Sequence, residues 1–125
     1  MLVADQSKLV TRITAAFEDR FWSLLIDLRA PNAGRIQLCE ITTPRPHRSE
    51  PRCLAVLCDG GNTTTLYEQI AIENHITPET LSTQLLGQML SQLVDHQPRQ
   101  ETIAQLRDKL AIWISDLRGE VALLQ

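Results

Sequence analysis

The stretch FWSLLIDLRAPNAGRIQLCEITT, Phe21 to Thr43, decides the fold class of this chain. Apolar residues fall on every second position of its first part, which is the pattern of a half-buried β-strand; a helix that continues through Leu28 is the alternative. Pro31 and Gly34 then supply turn chemistry, because proline presets φ for a turn and glycine accepts a positive φ. The stretch therefore predicts a hairpin whose second strand is Arg35 to Thr43.

The segments on either side complete the predicted fold. Ser7 to Asp19 has apolar residues at steps of three and four, which predicts a short amphipathic helix, and Arg52 to Asp59 predicts a third strand that ends at Gly60-Gly61. Three helices follow, at Thr64 to His75, Thr77 to Asp95 and Gln97 onward, with Gly119 able to end or loosen the last one. We predict an α+β fold, a three-stranded antiparallel meander packed with helices in the order α-β-β-β-α-α-α, with residues 1–125 in one domain.

Composition and cysteine content narrow the class of protein. Hydrophobic residues make up 43% of the chain and charged residues 22%, as in an ordinary globular protein with its own core. The N-terminus lacks the pattern of a secretory signal, and no stretch approaches the roughly 18 apolar residues that span a bilayer. We therefore expect a cytoplasmic protein with reduced thiols.

The three cysteines, Cys39, Cys53 and Cys58, have no C-x₂-C spacing and predict no zinc site. Cys53 and Cys58 are five positions apart, so a regular strand would turn their side chains to opposite faces. We interpret all three as small apolar residues of the core.

The helix that contains TLSTQLLGQMLSQLV, Thr80 to Val94, has no charged residue in that stretch. Residues 53–98 hold no Lys or Arg and five acidic residues. One side of the helix is apolar and faces the core; small and amide side chains on the other side lose water at low cost, and interface centres are similarly poor in charge. Either another helix of the same chain covers that side or a partner protein does. The predicted docking residues are Ser82, Thr83, Gln88, Ser91 and Gln92.

A second candidate docking element is the loop PRPHRSEPR at 44–52. Its three prolines restrict the backbone, so its basic residues lose little entropy when they bind. An acidic protein surface is its natural target, a phosphate-bearing ligand is an alternative, and a solvated hairpin loop is the simplest interpretation. The predicted partner-binding residues of this loop are Arg45, His47, Arg48 and Arg52.

The stretch QIAIENHITPETLSTQLL, Gln69 to Leu86, resembles a helix-turn-helix DNA-binding unit, with Thr77 to Ser82 at the start of the recognition helix. His75 stands where that family has Gly at the turn, and Lys or Arg for phosphate contacts is missing throughout residues 53–98. The order of the first elements is similar to that of double-stranded-RNA-binding domains, but Asn62 to Thr65 is neutral where those domains are basic.

Known catalytic patterns are missing from the sequence. CDGGNTTT, Cys58 to Thr65, lacks both nucleotide-binding fingerprints, and no G-x-S-x-G elbow raises a nucleophile. We therefore expect a non-enzymatic accessory or adaptor protein, without cofactor, metal or small-molecule substrate, which binds another protein subunit or itself. A small subunit or assembly factor of a larger complex fits best. The alternative is a DNA-binding regulator that uses Ile70 to Leu86, and the charge distribution argues against nucleic acid.

Overall fold

A computed structural model describes residues 9–17, 20–29, 34–41, 52–58 and 65–124, with Phe17 and Ile41 as backbone only. Four strands form one antiparallel sheet in the order β1-β2-β3-β4, and helices follow them. The strands are β1 (Val10–Phe17), β2 (Arg20–Asp27), β3 (Arg35–Ile41) and β4 (Arg52–Cys58); the helices are a short π-helix (Glu68–Ile72), α1 (Pro78–Leu90) and α2 (Gln100–Leu123). The α+β class, the antiparallel meander and the two longer helices are confirmed. None of the described helices is long and apolar enough to cross a membrane.

The predicted N-terminal helix at Ser7 to Asp19 is wrong, because its centre is strand β1. Leu9 and Ile13 are four positions apart, and a step of four keeps two residues on one face of a helix and also on one face of a strand. Pairing decides between the two periods: Ile13 lies opposite Leu24 of β2, and the backbone N–H of Leu28 donates to the carbonyl of Leu9. The sheet therefore has four strands rather than three. The predicted strand that begins at Phe21 is confirmed as far as Asp27, so the alternative of a helix there is wrong.

Gly34 closes the predicted hairpin between β2 and β3. Asp27 pairs with Arg35, and Gly34 has a φ of 126°, which is strained for any residue with a Cβ. A Cβ there would also lie 2.9 Å from both Leu28 Cδ2 and Leu66 Cβ. The rest of the predicted turn, at 31–33, lies outside the described residues.

The two faces of the sheet differ in what covers them. Side chains of the core cluster all come from one face, which we call the inner face, and the helices pack against it. Its buried members are Leu9, Ile13, Ala15, Trp22, Leu24, Ile26, Leu28, Ile36, Leu38 and Ala55. The other face, the outer face, carries among others Arg12, Leu25, Gln37, Cys39 and Val56, and none of these belongs to the core cluster.

A β-bulge in β4 changes which residues reach the outer face. Leu38 pairs with Ala55 but Cys39 pairs with Cys53, so Leu54 is the extra residue, and both Leu54 and Ala55 pack on the core. The shift moves Cys53 to the outer face beside Cys39. Cys58, which pairs with Arg35, lies on the same face, so the expectation that Cys53 and Cys58 point to opposite faces is wrong. Both side chains are also exposed, so the interpretation as a buried apolar residue is wrong for these two and holds for Cys39.

The helices cover the inner face with one stripe each. α1 buries Leu81, Ser82, Leu85, Leu86 and Met89, and α2 buries Thr102, Leu106, Leu110, Ala111, Ile114, Leu117 and Val121. Removing a large apolar side chain of this kind from water stabilises the fold by about 1.5–3 kcal/mol. Gly119 lies within α2 and does not end it.

Arg118 of α2 fastens the segment between the short π-helix and α1. Its guanidinium donates to the carbonyls of Ile70 (2.8 Å), Glu73 (2.6 Å) and Ile76. Burial lowers the pKa of Arg118, and the Glu73 carboxylate partly opposes that shift. The predicted helix at Thr64 to His75 is correspondingly shorter, because π-helical geometry ends at Ile72 and the carbonyls beyond it bind Arg118 instead of continuing a helix.

Candidate interaction surfaces

Ser82 does not belong to a docking surface. Ser82 is fully buried within the apolar stripe of α1, and its hydroxyl donates to the carbonyl of Glu79 at 2.9 Å. A serine hydroxyl that bonds to a carbonyl of the preceding turn tolerates such burial because its donor is satisfied. The prediction that placed Ser82 on the uncharged outer side of the helix is wrong, since position 82 falls inside the buried arc.

Gln92 is already engaged within the chain. Its side-chain oxygen accepts from the backbone N–H of Val56 at 3.1 Å, and its side-chain nitrogen donates to the carbonyl of Val56 at 2.9 Å. β4 is an edge strand, so Val56 turns these groups away from β3. An amide side chain has one acceptor and one donor group and can pair with a peptide as a neighbouring strand would. Gln92 is exposed, but its amide serves the sheet edge rather than a partner.

Five residues of the uncharged side of α1 do remain exposed, and we call them the exposed strip. They are Thr83, Gln84, Gly87, Gln88 and Ser91. The hydroxyls of Thr83 and Ser91 donate to the carbonyls of Glu79 and Gln88, at 2.9 and 2.7 Å. A partner that covers these two hydroxyls therefore leaves no donor unpaired, which keeps the cost of desolvation low.

Gly87 occupies the middle of the exposed strip, and the fold does not require a glycine there. A Cβ added at Gly87 would have no heavy atom of another described element within 4 Å. Glycine in a helix interior destabilises it by about 0.5–1 kcal/mol relative to alanine. The same is true of Gly119 in α2, which makes the two positions a matched pair for experiments.

The surroundings of α1 are acidic. Glu79 at its first turn lines a shallow groove together with Asp108 and Asp116 of α2, and Ile112 in that groove is 62% exposed. Residues 53–98 contain no Lys or Arg, so Glu79 has no basic neighbour from its own part of the chain, whereas Oδ1 of Asp108 lies 3.5 Å from Nε of Arg107. Glu79 and Asp116 in this groove therefore favour a partner with basic side chains.

The loop at 44–52, which we call the basic loop, lies mostly outside the described residues. Arg45, His47 and Arg48 are among the residues that the structure does not describe. Arg52, its last residue, is exposed and opens β4, where it pairs across the strands with Glu40. Of the described docking residues, Arg52 thus belongs to an edge strand, whereas Thr83 and Gln88 belong to α1.

A polar cluster at one end of the inner face is a feature that sequence reasoning missed. Nε2 of His96, in the connection between α1 and α2, contacts the Glu40 carboxylate of β3, and Arg20 Nη1 lies 3.1 Å from the same nitrogen. The His96 ring also packs against Trp22, with ring centroids 5.3 Å apart. Glu40 is 7% exposed. The cluster attaches the α1–α2 connection to the sheet, because α1 ends at Leu90, six positions before His96 and five before the predicted helix end at Asp95.

The segment that resembles a helix-turn-helix unit has a different first half from that family. Its first helix is only the π-helix Glu68–Ile72, with Ile70 and Ala71 buried, and Arg118 binds the carbonyls of the turn. Thr77 caps α1 by accepting from the backbone N–H of Thr80 at 3.1 Å. Among the exposed residues of α1, Thr83, Gln84 and Gln88 can offer hydrogen bonds, but the helix provides no positive charge.

Comparisons with known proteins give no relative: no protein-family model matches the chain, and neither the curated proteins nor the solved structures contain a significant match.

Proposed function

We propose that this protein is a non-enzymatic accessory subunit that binds a helix of a partner protein along the exposed strip of α1. The observation that carries the proposal is the strip itself: five neighbouring surface positions along α1 and its C-cap have no charge, and the described elements of the chain leave them exposed. A surface helix normally carries charged residues there. The absence of charged residues from the strip is explained if the strip forms the centre of an interface.

A helix is the partner element that fits the strip best. Gly87 lacks a side chain at its centre, and small residues let two helix axes approach to the lower end of the usual 8–10 Å range. Gln84 and Gln88 supply amides that fix the alignment of the two helices through hydrogen bonds. Glu79 and Asp116, which line the groove between α1 and α2, favour Lys or Arg at the edge of the partner helix.

The decisive experiment introduces a bulky charge at Gly87. The partner is first isolated from the native host with the tagged chain and identified, and its affinity for the purified chain is then measured by calorimetry. Gly87→Arg should weaken binding at least tenfold, because a desolvated charge at an interface centre costs well over 1.4 kcal/mol. The matched control is Gly119→Arg on α2, which should leave the affinity unchanged.

Two results would contradict the proposal. One is equal affinity of the Gly87→Arg and Gly119→Arg variants, which would remove the exposed strip from the interface. The other is a chain that stays monomeric by light scattering and yields no specific partner. A dimer of the chain that dissociates with Gly87→Arg would replace the partner protein by a second copy.

DNA binding through Ile70 to Leu86 is the competing function, and it has its own readout. A DNA-binding protein releases counterions from the duplex, so its affinity falls steeply with salt. Duplex binding that weakens with salt and disappears with Thr83→Glu would support the DNA-binding function and displace the proposal above. We expect no such binding, because phosphate contacts need Lys or Arg and α1 has neither.

A further inference from the structure

Two of the three cysteines lie directly opposite each other on neighbouring strands. Cys39 of β3 pairs with Cys53 of β4, and both side chains are on the outer face because of the bulge at Leu54. Cys39 is 2% exposed, whereas Cys53 is exposed. Cys58 is also exposed on that face, but it lies opposite Arg35 and has no cysteine across from it.

The pairing places the two thiols within reach of a bond. The backbone N–H of Leu28 donates to the carbonyl of Leu9, so Leu28 and every second residue before it in β2 direct their backbone groups to β1. The residues between them direct theirs to β3. Ser23 is one of these and pairs with Cys39, so Cys39 directs its own backbone groups to β2. Cys39 and Cys53 thus form a non-hydrogen-bonded pair, for which the Cα separation is about 4.5 Å. Disulfides need Cα separations of roughly 4.4–6.8 Å, a range that includes the separation of a regular pair of this kind.

The electrostatics of Cys39 agree with this proximity. Burial raises the pKa of Cys39 to about 11, and the Cys53 thiol adds to the shift through its charge and a hydrogen bond. The hydrogen bond that the structure gives Cys53 Sγ is to the carbonyl of Ala55, at 3.6 Å.

We propose that Cys53 and Cys39 form a reversible disulfide by exchange with a small-molecule disulfide such as glutathione disulfide. The Cys53 thiolate attacks one sulfur of the small disulfide, an S–S bond forms to Cys53, and one small-molecule thiolate leaves. The Cys39 thiolate then attacks Cys53 Sγ and displaces the second small-molecule thiolate. Two protein thiols are oxidised and one small disulfide is reduced to two thiols.

The order of attack follows from exposure. Cys53 meets the small disulfide first because Cys39 is buried, and Cys39 acts as the resolving thiol. Its thiolate is scarce at neutral pH, so the second step should quicken about tenfold for each pH unit between 7 and 9. In the mixed disulfide, Cys53 has neither a thiolate charge nor a thiol hydrogen, so its contribution to the raised pKa of Cys39 is lost. Burial still raises that pKa.

The bond would also enclose residues 40–52, the segment that contains Arg45, His47 and Arg48. This site does not depend on the proposed partner helix, because the cysteines are on the outer face of the sheet and α1 packs on the inner face.

The test treats the intact chain with glutathione disulfide at pH 7 and pH 8.5, blocks remaining thiols and maps the peptides by mass spectrometry. The wild-type chain should lose bound glutathione from Cys53 with time and yield a peptide pair linked through Cys39 and Cys53, faster at the higher pH. Cys58→Ser should form the same link. Cys39→Ala should keep glutathione on Cys53.

Three results would overturn the site. The first is glutathione that stays on Cys53 of the wild-type chain at pH 8.5. The second is a link from Cys53 to Cys58, and the third is a link between two chains. If Cys39→Ala does not fold, peptide mapping of the Cys58→Ser variant decides the question alone, because that variant leaves both proposed cysteines in place.

Discussion

α1 and α2 pack on the same face of the same sheet, yet their outer sides differ. Each buries a stripe of apolar residues against the strands. α2 carries seven charged residues on its 24 positions, and Glu101, Asp108, Lys109 and Asp116 are exposed. α1 carries only Glu79 on its 13 positions, and its exposed strip is uncharged.

The difference separates the requirements of folding from those of binding. Both helices satisfy the core equally, so an amphipathic helix of this fold has no need to lose its surface charges. α2 has the outer side expected of a helix that faces water. Packing on the sheet therefore does not account for the uncharged side of α1, whereas the proposed contact with a partner would, and four pairs of variants test that contrast.

The largest effect should come from the buried sides, where the helices ought to be equivalent. Leu85→Ala in α1 and Leu110→Ala in α2 each remove a side chain that is at most 1% exposed and should lower the free energy of unfolding by about 2–5 kcal/mol. Urea denaturation of both variants measures this. A loss below 1 kcal/mol for Leu85 alone would mean that α1 is only loosely part of the core.

Arg118 is the charge of α2 that should matter most for stability. Arg118→Met keeps the aliphatic stem but leaves three carbonyls of residues 70–76 without their donor, which should cost about 2–3 kcal/mol of unfolding free energy. Arg107→Met is the control, since its nearest carboxylate, on Asp108, is 3.5 Å away and such pairs contribute roughly 0–1 kcal/mol. Equal losses in the two variants would rule out a role for the three carbonyl contacts.

A smaller effect separates Gln92 from the exposed strip. Gln92→Ala removes both hydrogen bonds to Val56 and should lower the free energy of unfolding by about 1 kcal/mol, because water can replace part of what is lost at the sheet edge. Gln88→Ala should change it by less than about 0.5 kcal/mol, as expected for an exposed position. The same denaturation measurements apply, and a reversal of the two values would move Gln92 back into the docking surface.

The smallest effect has the opposite sign. Gly87→Ala and Gly119→Ala should each raise the free energy of unfolding by about 0.5–1 kcal/mol, since alanine favours a helix and nothing described blocks its Cβ. Only Gly87→Ala should lower the affinity for the partner, because the added methyl group keeps the partner helix further from α1. If the two variants bind alike, small size at Gly87 is irrelevant to the interface.

Local pattern predicted much of the architecture. Turn chemistry around Gly34 identified the hairpin, and Thr77-Pro78 identified the start of α1, because caps and turns depend on a few neighbouring residues. The N-terminal helix was wrong for a specific reason: Leu9 and Ile13 fit both periods, and only the pairing of β1 with β2 favours the strand. The docking residues divided in a way that the sequence left open, with Thr83, Gln88 and Ser91 exposed, Ser82 buried and Gln92 bonded to β4.

The sequence by itself determined the α+β class, the hairpin, both longer helices and the absence of charge along α1, since each depends on residues close together in the chain. Tertiary structure alone decided that 10–17 is a strand, that Gln92 pairs with Val56 36 positions away, and that a bulge brings Cys53 beside Cys39. Contacts between distant positions depend on how strands and helices align after they form. A one-residue shift in that alignment moves a side chain to the other face, and no local pattern records it.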